Sequence, residues 1–265
     1  MWFADNIKAA AIAMAPLAKE WLDDMLTATA FLTRVPMPHP HGASPPNFAR
    51  AHRAFPLVGA VVGLLCLGLR SVGVPDLAAA ALALGGGAIL TGALHEDGLA
   101  DVADGFGGGR NFESKLEIMR DSRLGTYGAM ILLVSFAAKL SALAVIPDGH
   151  VVPSLIAAHA LARGVLPAMS LNLPYARKDG LARNAGQPDA ATAAIAGGLA
   201  LLIALLSLSW SNAFYAAVLA GLSGFAVAWL ALRQIGGQTG DVLGGAEQVA
   251  ETAILVLLAA RLAQP

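Results

Sequence analysis

Seven long apolar runs dominate this sequence and restrict it to one kind of fold. A lipid bilayer core is crossed by an α-helix of about 20 apolar residues, and each run is close to that length. The runs fall at 55–73, 77–94, 129–147, 152–172, 191–210, 213–232 and 247–262. Six spans is the alternative, because the last run opens with Glu247 and Glu251. We therefore expect an all-α, polytopic integral membrane helical bundle of about seven spans.

Composition supports a membrane protein. Hydrophobic residues make up 57% of the chain and charged residues 13%, whereas soluble domains average about 25% charged residues. The formal net charge of -1 argues against a nucleic-acid-binding protein. We treat residues 1–265 as a single membrane domain.

Residues 1–54 precede the first complete span and carry an amphipathic pattern. Apolar residues recur at helical spacing from Phe3 to Leu32, which favours a helix lying at the membrane interface. Pro16 is expected to split it into two short helices. A cleaved signal peptide is the alternative, with 13–15 as the cleavage site, although Asp5 is atypical of such a leader.

Basic residues predict the orientation of the chain, because cytoplasmic loops of membrane proteins are enriched in Lys and Arg. With the N-terminus inside, one set of connections carries nearly all of them, whereas the connections near Val74, Gly149 and Ser211 carry almost none. We expect a multi-pass protein of the bacterial inner membrane with its long polar loops in the cytoplasm.

The expected cytoplasmic loop 95–128 begins with three aspartates. Asp97, Asp101 and Asp104 are spaced i, i+4, i+7 and would share one helical face. Three carboxylates on one face repel each other unless a cation neutralises them, and Mg²⁺ binds through carboxylates and substrate phosphates. We predict a Mg²⁺ site here. A solvated acidic helix end is the alternative.

Phosphate-binding residue types follow in the same loop. Glycines at 105 and 107–109 precede Arg110 and suggest a turn that admits a phosphate, although glycine-rich turns also serve as simple connections. The segment 119–128 then supplies Arg120, Asp121, Ser122, Arg123 and Thr126. Binding of lipid headgroups is the other interpretation of such a basic stretch.

Two further polar segments, 173–181 and 236–245, are expected on the same membrane side and contain Arg177 and Asp241. Within predicted spans, Lys139 and Arg163 need partners or a polar cavity. Arg163 is expected to reach toward the site, and His159 to serve in packing. The sequence has no Ser/His/Asp order, CxxC pair or HExxH motif, so covalent nucleophile and zinc chemistry have no support.

The order and spacing of several motifs resemble those of one enzyme family. The motifs are 31–36 (FLTRVP), 55–59 (FPLVG), 95–105 (HEDGLADVADG), 121–128 (DSRLGTYG), 174–177 (PYAR) and 239–241 (TGD). In these, the chain looks like the adenosylcobinamide-GDP ribazoletransferases, the cobalamin 5'-phosphate synthases, over nearly its whole length. Glu96 departs from the neutral residue expected there, but it lies off the aspartate stripe.

The resemblance implies that α-ribazole, or its 5'-phosphate, attacks the phosphate attached to cobinamide and that GMP leaves, with Mg²⁺ as cofactor. Its partners would be corrinoid and α-ribazole substrates and membrane lipid; a homo-oligomer and contacts with other B12-assembly enzymes stay open. We assign catalysis to Asp97, Asp101, Asp104 and Arg123. Substrate binding is assigned to Arg34, His95, Arg110, Arg120, Asp121, Ser122, Thr126, Arg163, Arg177 and Asp241.

Two other functions compete with this assignment. CDP-alcohol phosphotransferases also use an aspartate- and glycine-rich segment at a membrane edge, but Ala100 is followed here by Asp101 rather than by the Arg of their motif. A cation-coupled transporter would place carboxylates at mid-membrane depth, whereas the carboxylates of this sequence are expected to gather at one face.

Overall fold

A computed structural model describes residues 2–38, 46–65 and 73–263, without the side chains of residues 2–15 and 181. A 3₁₀ turn, His52–Ala54, joins α2 to α3, and an isolated parallel bridge joins Tyr175 to Gln238. The α-helices in chain order are α1 (Trp2–Leu32), α2 (Phe48–Ala51), α3 (Phe55–Leu65), α4 (Asp76–Thr91), α5 (Leu94–Gly108), α6 (Phe112–Ile118), α7 (Thr126–Val145), α8 (Asp148–Gly164), α9 (Leu166–Asn172), α10 (Leu181–Ala185), α11 (Ala190–Ser207), α12 (Trp210–Ile235) and α13 (Gly240–Leu262).

The number of spans agrees with the sequence. Six helical segments are long and apolar enough to cross a membrane, and the bent pair α4–α5 makes a seventh if it is counted as one span. The six are Phe48–Leu65, Thr126–Val145, Asp148–Asn172, Ala190–Ser207, Trp210–Ile235 and Gly240–Leu262. The protein is thus an all-α, multi-pass membrane protein. Of the first predicted run, residues 66–72 lie outside the described part of the chain.

The helix pair α4–α5 changes direction by 90°. Gly92 takes the left-handed conformation at φ 66°, which favours glycine, and the backbone N–H of Ala93 donates back to the carbonyl of Ala88 over 2.7 Å. This closes α4 and allows α5 to start at once. The expectation of a loop over 95–128 is therefore wrong, since α5 and α6 occupy most of it.

The N-terminal helix α1 runs continuously through Pro16, so the expected split into two helices is also wrong. Proline removes one backbone hydrogen bond and can be accommodated as a kink rather than a stop. The end of α1 is fixed to the next segment by Asp24, whose carboxylate lies 2.6 Å from Arg53 Nε and 2.9 Å from Arg50 Nε. Whether α1 lies at a membrane interface stays a prediction.

Helix α13 is the central element that positions the site. It packs against α5, α7, α8 and α12, and Ile254, Leu255 and Leu258 are completely buried in its apolar half. At its first turns, Gly244 faces α5 so closely that a Cβ there would lie 3.3 Å from His95 Cα. Small residues permit such backbone approach between membrane helices. The first half of α5, which carries His95, Asp97 and Asp101, therefore packs directly against the start of α13.

Candidate active site

Two aspartates of α5 meet a third aspartate at the α5–α13 crossing. A Cβ on Gly98 would lie 2.8 Å from the carbonyl oxygen of Asp241, so only glycine fits between the helices here. Asp97 and Asp241 are the two carboxylates that repel Asp101 most strongly, and Arg177 is the cation that opposes them. The sequence assigned Asp97, Asp101, Asp241 and Arg177 to the site, and the structure brings all four together.

Asp241 is held in place by its neighbours. Arg177 Nη2 forms an ion pair with Asp241 Oδ2, and the Thr239 hydroxyl donates to the same oxygen over 3.1 Å. Thr239 also caps α13, since its Oγ1 accepts from the backbone N–H of Val242 at 3.2 Å. The 173–181 segment and the start of α13 are therefore joined at the carboxylate site.

Asp104 has different partners from the other two aspartates of α5. Its Oδ2 accepts the backbone N–H of Gly125 at 2.7 Å, and its Oδ1 accepts that of Gly128 at 2.9 Å. These groups belong to the start of α7, and Asp104 is buried there. Asp97 and Asp101 instead face α13, so the predicted single stripe divides between two neighbouring helices.

The glycine-rich segment after Asp104 is not an open turn. Residues 105–108, three of them glycines, complete α5, and Gly109 donates its N–H back to the carbonyl of Gly105 over 3.0 Å. A Cβ on Gly107 would lie 2.7 Å from the ring of Tyr127. These glycines allow α5 to pack tightly against its neighbours, so the prediction of a turn over 105–108 is wrong. Phosphate binding by Arg110 stays a prediction.

The predicted phosphate-binding residues between α5 and α7 are exposed or partly exposed. Arg120 forms an ion pair with Asp179, which ties this connection to the 173–181 segment. Arg123 Nε lies 3.0 and 2.9 Å from the two oxygens of Asp121, and this hydrogen bond lowers the pKa of Asp121 to about 2. Arg110, Ser122 and Thr126 are exposed to solvent.

Arg34 lies away from the aspartates, beside the α4–α5 bend. Its backbone N–H donates to the carbonyl of Leu90 over 2.7 Å. A Cβ on Gly92 would collide with Arg34 Nε. This position makes Arg34 a partner of the bend rather than of the carboxylate cluster.

A buried network of charged side chains lies deeper in the bundle, one to three turns along α13 from Asp241. Arg163 Nη1 is 2.5 Å from Glu247 Oε1. Glu251 pairs with two groups, Lys139 Nζ at 3.1 Å and His159 Nδ1 at 3.0 Å. All five side chains are at least nine-tenths buried. His159 was expected to serve in packing, whereas its ring nitrogen here contacts Glu251.

The same network includes two residues of α5. Gln248 accepts from Lys139 Nζ over 2.7 Å and donates to Glu96 Oε1 over 3.3 Å. His95 Nδ1 lies 3.7 Å from Glu247 Oε2 and 3.5 Å from Arg163 Nη2. His95 and Arg163, both assigned to substrate binding, therefore face this network in the structure rather than the aspartates.

The buried carboxylates alter one argument against transport. Glu247 and Glu251 lie inside the bundle rather than at one face, so that expectation is wrong for these two residues. Ligand atoms of His159, Glu247 and Glu251 lie within 4.8 Å of one another, but Arg163 and Lys139 already neutralise the glutamates. The adjoining cavity of about 20 Å³ has room for about one water molecule.

A cleft of about 210 Å³ opens beside Asp241. It is lined by Tyr175, Arg177, Asp179, Gly180, Ala182, Arg183, Gln238, Thr239, Gly240 and Asp241. Most of these residues belong to the polar segments 173–181 and 236–245, whereas Ala182 and Arg183 lie just beyond the first. No role was predicted for Tyr175, Arg183 or Gln238. The signal available was the aromatic and basic composition of the first segment.

The fold and the site define a multi-pass helical membrane protein with a carboxylate cluster where a broken helix crosses the last span. The family profile described as cobalamin-5-phosphate synthase matches residues 24–259. The chain belongs to this family.

Curated relatives cover most of the chain. An adenosylcobinamide-GDP ribazoletransferase of Bradyrhizobium diazoefficiens is 47% identical over 242 residues, 89% of this chain and 93% of that protein. Proteins of the same name from Sinorhizobium medicae and Mesorhizobium japonicum are 42% and 44% identical, over 91% and 90% of this chain and 97% and 93% of those proteins. No solved structure matches the chain significantly.

Proposed function

We propose that this protein is an adenosylcobinamide-GDP ribazoletransferase. A hydroxyl of α-ribazole, or of its 5'-phosphate, attacks the cobinamide-linked phosphorus, the bond to the GMP oxygen breaks, and GMP and the hydroxyl proton are released. The observation that carries the proposal is the convergence of Asp97, Asp101 and Asp241 with Arg177 at the α5–α13 crossing, in a chain of this family. Phosphoryl transfer requires mainly positioning and charge neutralisation, and this cluster offers both.

The carboxylate cluster fits Mg²⁺ as the cofactor. Three oxygen-donor side chains from two helices repel one another there, and Arg177 neutralises only part of the charge. Mg²⁺ prefers such ligands together with substrate phosphates, so Asp97, Asp101 and Asp241 would hold it. Its bound charge would stabilise the diphosphate and the leaving GMP. Asp104 is not proposed as a metal ligand, because both its oxygens already accept backbone hydrogen bonds. Its proposed role is to fix α5 to α7.

The arginines around the cluster have separate roles in the proposal. Arg177 pairs with Oδ2 of Asp241, which leaves the other oxygen, Oδ1, as a possible metal ligand. Arg120 lies at the rim of the cleft through its pair with Asp179. Arg110, before α6, and Arg123, before α7, are exposed. Both would donate charge-assisted hydrogen bonds to the phosphates of adenosylcobinamide-GDP, the activated donor.

The test is a turnover assay of the purified protein in lipid with adenosylcobinamide-GDP and α-ribazole 5'-phosphate. We expect GMP release that is abolished by a chelator and restored by Mg²⁺. Absence of GMP release with both substrates and metal present would refute the proposal. Release of CMP from a CDP-alcohol in a parallel assay would support the lipid-synthesis alternative instead.

A further inference from the structure

The cleft beside Asp241 has walls held by backbone hydrogen bonds. Ala176 N–H donates to Gln238 O at 2.9 Å, and Gln238 N–H donates to Pro174 O at 2.8 Å. The Gln238 side chain adds two bonds from Nε2, to the carbonyls of Ser170 at 2.9 Å and Leu173 at 2.8 Å. The shape of the cleft is therefore set by the fold before any ligand binds.

One wall carries an aromatic ring with a cation over its face. The guanidinium carbon of Arg183 lies 5.3 Å from the centre of the Tyr175 ring. Aromatic rings and guanidinium planes are the surfaces on which nucleobases stack, and a guanidinium also binds phosphate strongly. This pair can therefore take either the base or the phosphate of a nucleotide.

The charges in the cleft leave one cation available. Asp179 is paired with Arg120, and Asp241 is paired with Arg177. Arg183 also lines the cleft and has no carboxylate partner among the described residues. An incoming anion would therefore be neutralised without breaking an existing ion pair.

A buried acceptor in the same cleft also lacks a partner. Gln238 is 1% exposed, and its Oε1 accepts no hydrogen bond from the described part of the chain. Its Nε2 is committed to two carbonyls, so the side chain cannot turn to satisfy that oxygen without losing both. An unmet buried acceptor destabilises the folded protein. The Gln238 side chain is thus a fixed, polar part of the cleft wall.

From these features we propose that the cleft between the Tyr175–Arg183 segment and the start of α13 is a subsite for a nucleoside 5'-phosphate. The inference rests on the proposed function and deepens it, because Asp241 belongs to both the cleft and the carboxylate cluster. Two reactants share this chemistry: the GMP half of the activated donor, and α-ribazole 5'-phosphate. The cleft is too small for a corrin ring, which must lie elsewhere.

The test compares two variants with a matched control. Arg183→Ala removes the free cation and Tyr175→Leu removes the ring, whereas Arg233→Ala removes a similar cation–π contact, 4.4 Å from the Trp229 ring, away from the cleft. Steady-state GMP release in lipid vesicles would give kcat and KM for both substrates, together with the inhibition constant of added GMP. We expect Arg183→Ala and Tyr175→Leu to raise the constants of the nucleotide that occupies the cleft, its KM or inhibition constant, roughly tenfold or more with little change in kcat. Arg233→Ala should change none of these constants.

The two sources of the nucleotide give different results. If the GMP half occupies the cleft, the inhibition constant of GMP and the KM of the donor rise together. If α-ribazole 5'-phosphate occupies it, only its KM rises, and unphosphorylated α-ribazole is less sensitive to Arg183→Ala. If both variants fold like the wild type and leave the KM of each substrate and the inhibition constant of GMP unchanged, the subsite proposal is overturned. A wild-type protein that releases no GMP would instead refute the proposed function itself. If Tyr175→Leu does not fold, Arg183→Ala decides the test, and Tyr175→Phe, which keeps the ring, should leave the constants close to those of the wild type.

Discussion

Asp104 and Asp101 are the same residue type on the same helix, yet their surroundings assign them different tasks. Asp104 accepts two backbone N–H groups from the start of α7. Asp101 is half-buried among other carboxylates and has an incomplete balance of charge. A carboxylate with satisfied oxygens stabilises the fold, whereas one in a repulsive cluster attracts a cation.

Asp→Asn substitutions should separate these two tasks. At Asp97 and Asp101 the change removes repulsion, so thermal stability should be kept while turnover falls by orders of magnitude, since metal charge contributes several kcal/mol. At Asp104 the amide can accept only one of the two N–H groups, which should cost roughly 1–3 kcal/mol. GMP release and thermal unfolding of each variant are the measurements.

Glu96→Gln is the control for this series, because Gln retains the oxygen that accepts from Gln248. It should remain largely active. The assignment fails if the Asp97 and Asp101 variants keep near-normal Mg²⁺-dependent turnover while Glu96→Gln is inactive.

Arg120 and Arg123 allow a second residue-scale prediction. Arg123→Ala or Arg120→Ala should weaken binding of the GDP-activated donor by roughly 1.5–3 kcal/mol if each donates a charge-assisted bond to it. Both pairs are exposed, so unfolding temperatures should hardly change. KM for the donor is the quantity to compare, and unchanged KM and kcat in both variants would indicate lipid headgroup binding instead.

At the scale of elements, the buried network joins α13 to α5, α7 and α8 at one level of the bundle. Breaking a buried ion pair by removing one partner typically costs 3–5 kcal/mol, whereas replacing the whole pair by apolar groups can be nearly neutral. The Lys139–Glu251 contact is the simplest part to test, because each side chain is almost completely buried.

Lys139→Met and Glu251→Gln should therefore each destabilise the protein by several kcal/mol, and the double variant by less than the sum of the two. Unfolding in one bilayer mimetic, as a double-mutant cycle, measures the coupling. The exposed Arg123–Asp121 pair is the matched control and should show little or no coupling. Additive effects at Lys139 and Glu251 would mean that the contact contributes little.

The sequence predicts helices better than it predicts their contacts. Apolar runs located every span, because the requirement for apolar residues in a bilayer is local along the chain. The bend at Gly92 and the crossing at Gly98 depend on which helices meet, and a single glycine does not specify that. His159 with Arg163, and Glu247 with Glu251, are pairs at i, i+4 in two predicted spans. Their complementary chemistry was the available sign of the buried network.

At the scale of the whole molecule, antiparallel packing fixes which helix ends share a side. In α3, Gly63 approaches Leu155 and Gly59 approaches His159, so α3 and α8 run in opposite directions. In α5, Gly98 approaches Asp241 near the start of α13, while Glu96 bonds to Gln248 further along that helix. The starts of α7 and α13 therefore lie at the same end of the bundle as the end of α5. Counting the bent pair α4–α5 as one span gives seven.

The packing of the helices and the distribution of charge together predict which end of the bundle faces the cytoplasm. Ser122 and Lys178 are exposed at the end that carries Arg120, Arg123, Arg177 and Arg183, and positively charged ends are retained in the cytoplasm. Gly149 is exposed at the opposite end, with open space where a side chain would project. In a background without Cys66, a membrane-impermeant thiol reagent applied to intact cells should label Gly149→Cys and should spare Ser122→Cys and Lys178→Cys until the membrane is permeabilised.

Labelling of Ser122→Cys and Lys178→Cys from opposite sides would contradict the fold itself, because it would separate Arg120 from Asp179. Labelling of both from outside, with Gly149→Cys protected, would preserve the fold but reverse the orientation and move the proposed active site out of the cytoplasm.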